Sequence, residues 1–106
     1  ICPQDLILTK RRQSSFYSSD LEIVLRGLEI TTLYLAGVTT NVCVLGTAKD
    51  ASERDMDVNV VVDVTSSLPI LVDSKTTLDA SQTQYSAINF ISWAYGKLVN
   101  SEEIFN

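Results

Sequence analysis

Gly37-Val38-Thr39-Thr40-Asn41-Val42-Cys43-Val44 decides the reading of this chain. The apolar run Leu33-Tyr34-Leu35-Ala36 precedes it, and an alanine-containing stretch follows. The run reads as a buried strand within Thr31 to Val38, with the composition of a parallel strand covered on both faces. Asn41 to about Arg54 reads as a helix, with Thr40 a suitable N-cap. Cys43 then falls in the first turn. Amides at a helix start lack intrahelical partners, and the macrodipole makes that end positive. Such surroundings favour a thiolate and can hold an oxyanion. Taken alone, free cysteine more often packs as a small buried hydrophobe.

Outward from this stretch, strands and helices alternate. Leu6-Ile7-Leu8 is a short apolar run that reads as a strand, with Lys10 at its end. Ser18-Ser19-Asp20 offers N-cap chemistry ahead of Leu21, Val24, Leu25 and Leu28, whose i, i+3, i+4, i+7 spacing marks a helical stripe that serves packing. Asp57 to Val64 is a valine-rich strand closed by the polar Thr65-Ser66-Ser67. Pro69 argues against a central strand in Leu68–Val72. A long helix is expected from about Lys75 to Tyr95, with Tyr85, Ile88, Ile91 and Tyr95 on one side and Gly96 at its C′ position. Leu98-Val99 suits a last short strand, and Ser101-Glu102-Glu103 a closing turn. The alternation specifies an α/β fold with a parallel sheet, in one domain over residues 1–106, and this resembles a three-layer Rossmann-like arrangement.

Composition narrows the function. A net charge of −5 without a basic patch argues against nucleic acid. No run approaches the ~20 apolar residues needed to span a bilayer. The opening Ile1-Cys2-Pro3-Gln4-Asp5 is neither a signal nor a transit peptide, and it lacks an initiating Met. Two cysteines, Cys2 and Cys43, make no disulfide framework and suit a reducing, cytoplasmic setting. With no histidine, side chains of this chain cannot build a Ser-His-Asp or Cys-His pair, and there is no histidine ligand for zinc or iron. No metal site and no cofactor are expected.

Lys10, in Leu8-Thr9-Lys10-Arg11-Arg12-Gln13-Ser14-Ser15-Phe16, adds the second element of a pattern. Together with the Gly37–Val44 segment, Thr47-Ala48-Lys49-Asp50-Ala51 and Val60-Val61-Val62-Asp63, it resembles the isochorismatase-like cysteine hydrolases, which include nicotinamidases, ureidoacrylate hydrolases and N-carbamoylsarcosine amidases. The resemblance runs to Lys97–Ile104 and corresponds to the second half of such a protein. It implies that Cys43 is a nucleophile forming a thioester and that Lys10 is its catalytic lysine. It implies a cis peptide between Val38 and Thr39, and an oxyanion hole from the Thr39 and Cys43 amides. The thiol points to the branch acting on C–N bonds of small amides or ureido compounds. Gln13 departs from the aromatic residue common at that position.

The family also uses an aspartate from its first strand, and no residue here can be carried over to that role. Asp5 stands at the wrong end of its strand, Asp50 lies two turns beyond Cys43, and Asp63 suits a structural task better than catalysis. The resemblance implies a sheet ordered 3-2-1-4-5-6, of which this chain supplies the third to sixth strands. Leu6–Leu8 then lacks neighbours and Leu33–Val38 becomes an edge. This leads to the expectation of a hydrolase acting on a small-molecule substrate as a homo-oligomer, inactive as this chain alone. One alternative is a truncated, non-catalytic member that binds a partner. Another is a generic domain whose Gly37–Asn41 loop binds phosphate, though that loop lacks GxGxxG.

Overall fold

The computed structural model describes residues 4–105. Cys2 lies outside the described residues. In chain order the elements are α1 (Leu21–Gly27), β1 (Thr32–Val38), a π-helical turn (Thr40–Val44), α2 (Leu45–Glu53), β2 (Asp57–Ser66), β3 (Ile70–Leu71), β4 (Thr77–Leu78), α3 (Ala80–Ala94), β5 (Lys97–Val99) and α4 (Ser101–Phe105). The main sheet has the order β1-β2-β5 and is parallel throughout. β3 and β4 form a separate antiparallel pair.

β2, the middle strand, is buried continuously from Val58 to Val61 and supplies the core. Val58 and Val60 of β2 are buried in one cluster with Val44, Ala48 and Ala51 from the π turn and α2, Ile91 of α3, Leu25 of α1 and Phe16. Leu33 and Leu35 of β1 pack against it. Ala48 and Ala51 have no exposed surface, and small side chains there let α2 lie close to the strands. β1 and β2 pair regularly from Thr32↔Asp57 to Leu35↔Val60, then resume at Gly37↔Thr65. A stretch of β2 therefore bows away between Val60 and Thr65. Gly37 adopts φ 113°, a left-handed conformation that side-chain-bearing residues rarely hold.

Several sequence expectations need correction. Leu6–Leu8 is not a strand, and its side chains are exposed. A strand requires a ladder, and no described strand lies beside this segment. β1 is not covered on both faces: it is the sheet's edge, and Tyr34 and Val38 are more than half exposed. β2 runs on to Ser66, through residues expected to form a loop. α3 starts at Ala80 rather than near Lys75, because the Asp79 carboxylate accepts from the Gln82 amide while the Gln82 side chain accepts from the Asp79 amide. This reciprocal cap halts the helix, and Thr77-Leu78 pairs instead with Ile70-Leu71. The buried face of α3 is Thr83, Ala87 and Ile91, leaving Tyr85 in solvent. Leu28, the last member of the α1 stripe, lies beyond the helix end and is exposed.

Candidate active site

The chain from β1 to α2 turns sharply. The Val38–Thr39 peptide bond is cis. Thr39 is the N-cap, so the expected cap, Thr40, lies inside the helical turn. Its hydroxyl is buried without a hydrogen-bond partner, as is Asn41 Oδ1. The first turn is wider than an α-helix: the Val44 amide donates to Thr39 O at 3.1 Å, an i→i−5 bond. Cys43 precedes that bond, among the helix-start amides, and its thiol is half-buried and free.

Lys10 reaches this thiol from a distant segment. Its ammonium donates to Arg12 O at 2.6 Å and to Gln13 O at 3.2 Å, and stands 3.8 Å from Cys43 Sγ. Two backbone carbonyls thus fold the lysine back over its own loop and aim it at the sulfur. The cleft around the pair has a volume of about 180 Å³. Its lining includes Lys10, Ser15, Val38, Cys43, Val44 and Thr47.

No Asp or Glu is among the residues lining this cleft. Asp63 is occupied elsewhere: its carboxylate accepts from the Ser101 hydroxyl and from the Ser101 amide at 2.9 Å, capping α4. These two bonds hold its carboxyl below the ordinary aspartate range. Asp50 sits on α2, where its backbone carbonyl accepts from Arg54 at 3.0 Å. Among the described residues, no three His, Cys, Asp or Glu side chains cluster as metal ligands would. No helix of the described residues is long and apolar enough to cross a membrane.

Two residues of the cleft were not singled out from the sequence. The Thr47 hydroxyl accepts from the Ser15 amide at 2.9 Å and donates to Ser15 Oγ at 3.3 Å. The readable signal is that Thr47 follows Cys43 by one helical turn, on the same face.

The sequence matches the Isochorismatase domain model over residues 2–103. The chain belongs to the isochorismatase family. Relatives and solved structures agree. The chain is 40% identical over 63 residues to ureidoacrylate amidohydrolase RutB of Methylobacterium radiotolerans, a match covering 59% of this chain and 24% of that protein. It is 32% identical over 103 residues to the isochorismatase family protein YecD of Escherichia coli, covering 96% of this chain and 48% of that one. The fold superposes on a cysteine hydrolase from Pseudomonas syringae with a TM-score of 0.93 at 25% identity, covering 98% of this chain and 49% of that one. Nicotinamidase PncA of Bacillus subtilis superposes with a TM-score of 0.71 at 29% identity, covering 88% and 45%. The chain therefore spans between about a quarter and a half of the relatives it matches. The isochorismatase-family fold brings together Lys10 and Cys43, which are 33 residues apart in sequence.

Proposed function

We propose that this chain carries the lysine and nucleophile of a cysteine amidohydrolase acting on a C–N bond of a small amide or ureido substrate. The observation that carries this reading is the Lys10 ammonium 3.8 Å from Cys43 Sγ at a helix start. A cation there favours the thiolate, which is the reactive form. The sulfur adds to the substrate carbonyl carbon, and the carbonyl electron pair moves to oxygen. The Thr39 and Cys43 amides are assigned to that oxyanion. Collapse breaks the C–N bond, the amine leaves with a proton, and a thioester remains. Water then cleaves the thioester and restores the thiol. The relatives named for ureidoacrylate and nicotinamide chemistry support the substrate class.

The leaving amine needs a proton donor and the attacking water needs a proton acceptor, and the cleft holds no carboxylate to serve as either. Positioned acid–base groups typically contribute 10²–10⁴-fold, roughly, to such steps. We therefore propose that the 106-residue chain alone turns over no amide at an ordinary enzymatic rate. The same observation favours one second reading, a family member that binds without catalysis. The expected partners follow from the first: a small molecule and a second copy of this chain, with neither nucleic acid nor membrane, in the cytoplasm.

The test has two arms. Iodoacetamide labelling with peptide mapping should modify Cys43 faster than Cys2, and Lys10→Met should slow labelling at Cys43. Unchanged labelling in Lys10→Met would remove the pairing. The second arm assays the chain on nicotinamide, ureidoacrylate-like and carbamoyl substrates, with Cys43→Ala as control. Cys43-dependent turnover at ~1–10³ per second would show that a carboxylate of this chain serves after all.

A further inference from the structure

We infer that Thr47 is a positioning residue for the Lys10–Cys43 pair, acting through the Lys10 loop. The inference rests on the reading of that pair given above. Apart from the Cys43 thiol, the Lys10 ammonium is tied to Arg12 O and Gln13 O, carbonyls of its own loop. Whatever fixes those carbonyls relative to α2 fixes the ammonium relative to Cys43. The loop lies directly on α2: a Cβ placed on Gly46 would be in ordinary contact with the Ser14 backbone, at 3.6 Å from its nitrogen. The polar tie at that contact is Thr47, whose hydroxyl accepts the Ser15 N–H and donates to Ser15 Oγ.

Thr47 is 7% exposed and sits on α2, the helix that continues directly from the turn carrying Cys43. One hydroxyl thus links the nucleophile's helix to the loop that carries the cation. Burial strengthens the link, because the Ser15 amide finds less water to replace a lost acceptor. A second tie lies farther along. Phe16 is buried, with the Arg54 guanidinium 4.8 Å above its ring. That tie anchors the far end of the loop, with the Ser19 hydroxyl donating to Ser15 O, while the Thr47 bonds hold the loop to α2 nearer Lys10.

The test is a double-mutant cycle on the full chain, read as the rate of Cys43 alkylation against pH. Thr47→Val keeps the shape and removes the hydroxyl; Thr47→Ser keeps the hydroxyl. The expected result is Cys43 alkylation slowed roughly three- to tenfold in Thr47→Val, the scale of one lost hydrogen bond. Thr47→Ser should restore most of the rate. In a Lys10→Met background Thr47→Val should have little further effect, because coupled residues are non-additive. Should Thr47→Val lose its far-ultraviolet helix signal, Thr47→Ala takes its place in the cycle. A Thr47→Val variant that alkylates like the parent, or that slows equally with and without Lys10, overturns the inference. If Lys10→Met itself leaves the rate unchanged, the pairing has failed instead, so the two failures are distinguishable.

Discussion

At the scale of single residues, ionised carboxylates carry the clearest pH dependence. The Ser101 hydroxyl and amide hold Asp63 below its ordinary range, and Arg54 followed by Arg26 does the same for Glu22. A depressed folded-state pKa means that the contribution is present above the unfolded value and is lost as pH falls through the folded one. Urea-unfolding midpoints should therefore decline on the acid side of the carboxylate range, and the decline should be shallower in Asp63→Asn and Glu22→Gln. Acid limbs superimposing on that of the parent would contradict the assignment. Gly96 is a residue whose reason differs from its sequence reading. It follows α3 as a C′ glycine would, but what it supplies is space. A Cβ there would press on the Val58 carbonyl oxygen and stand 2.9 Å from the Val58 Cβ. Gly96→Ala should destabilise by about 1–3 kcal/mol, in the range of overpacked cores. An unshifted urea midpoint would show that the β5 side gives way freely.

At the scale of elements, the start of α3 is the most informative boundary. Lys75 to Leu78 has no residue that forbids a helix, so the hydrophobic pattern alone extends the helix too far. The Asp79–Gln82 capping box and the pairing of Thr77-Leu78 with Ile70-Leu71 stop it. Asp79→Ala should cost about 1 kcal/mol, the typical loss for a removed cap. Thermal or urea unfolding checks this, and amide exchange should quicken first at residues 80–83. Protection unchanged in that turn would mean that the hairpin, rather than the cap, sets the boundary. The helix after β1 gives the complementary lesson. Its presence and the place of Cys43 near its start were legible from a local apolar-to-polar pattern. Its π geometry was not, because the choice between i−4 and i−5 partners depends on how the turn sits against β1 and α3.

At the scale of the whole molecule, β1 is an edge with one side unpaired among the described strands. Exposed apolar side chains are numerous, including Tyr34 on that edge, Leu71 and Trp93, the last 82% exposed. An edge strand with apolar neighbours is a template for pairing with another chain. Sedimentation velocity should show association that grows with concentration. Tyr34→Lys, a charge placed on the edge, should weaken it. A single sedimenting species across a hundredfold range of concentration would count against this, and so against the proposed second copy.

What the sequence determined by itself is whatever is encoded over a few neighbouring residues. The valine run of Asp57–Val64, the polar cluster at Ser18–Asp20 and the Gly37–Val44 turn each carry their own conformational preference. Their alternation was enough to specify an α/β fold with a parallel sheet. Lys10 and Cys43 were named because each stands in a recognisable local pattern. Tertiary structure decided whatever depends on partners far along the chain. Leu6–Leu8 has a strand's composition but no ladder beside it. Thr83, Ala87 and Ile91 face the core because the sheet lies on that side of α3. Asp63 is taken up by Ser101, 38 residues away, and Thr47 meets Ser15 across 32. Backbone pairing and burial are properties of contacts between distant segments, and local propensity specifies which elements can form without specifying which of their groups will meet.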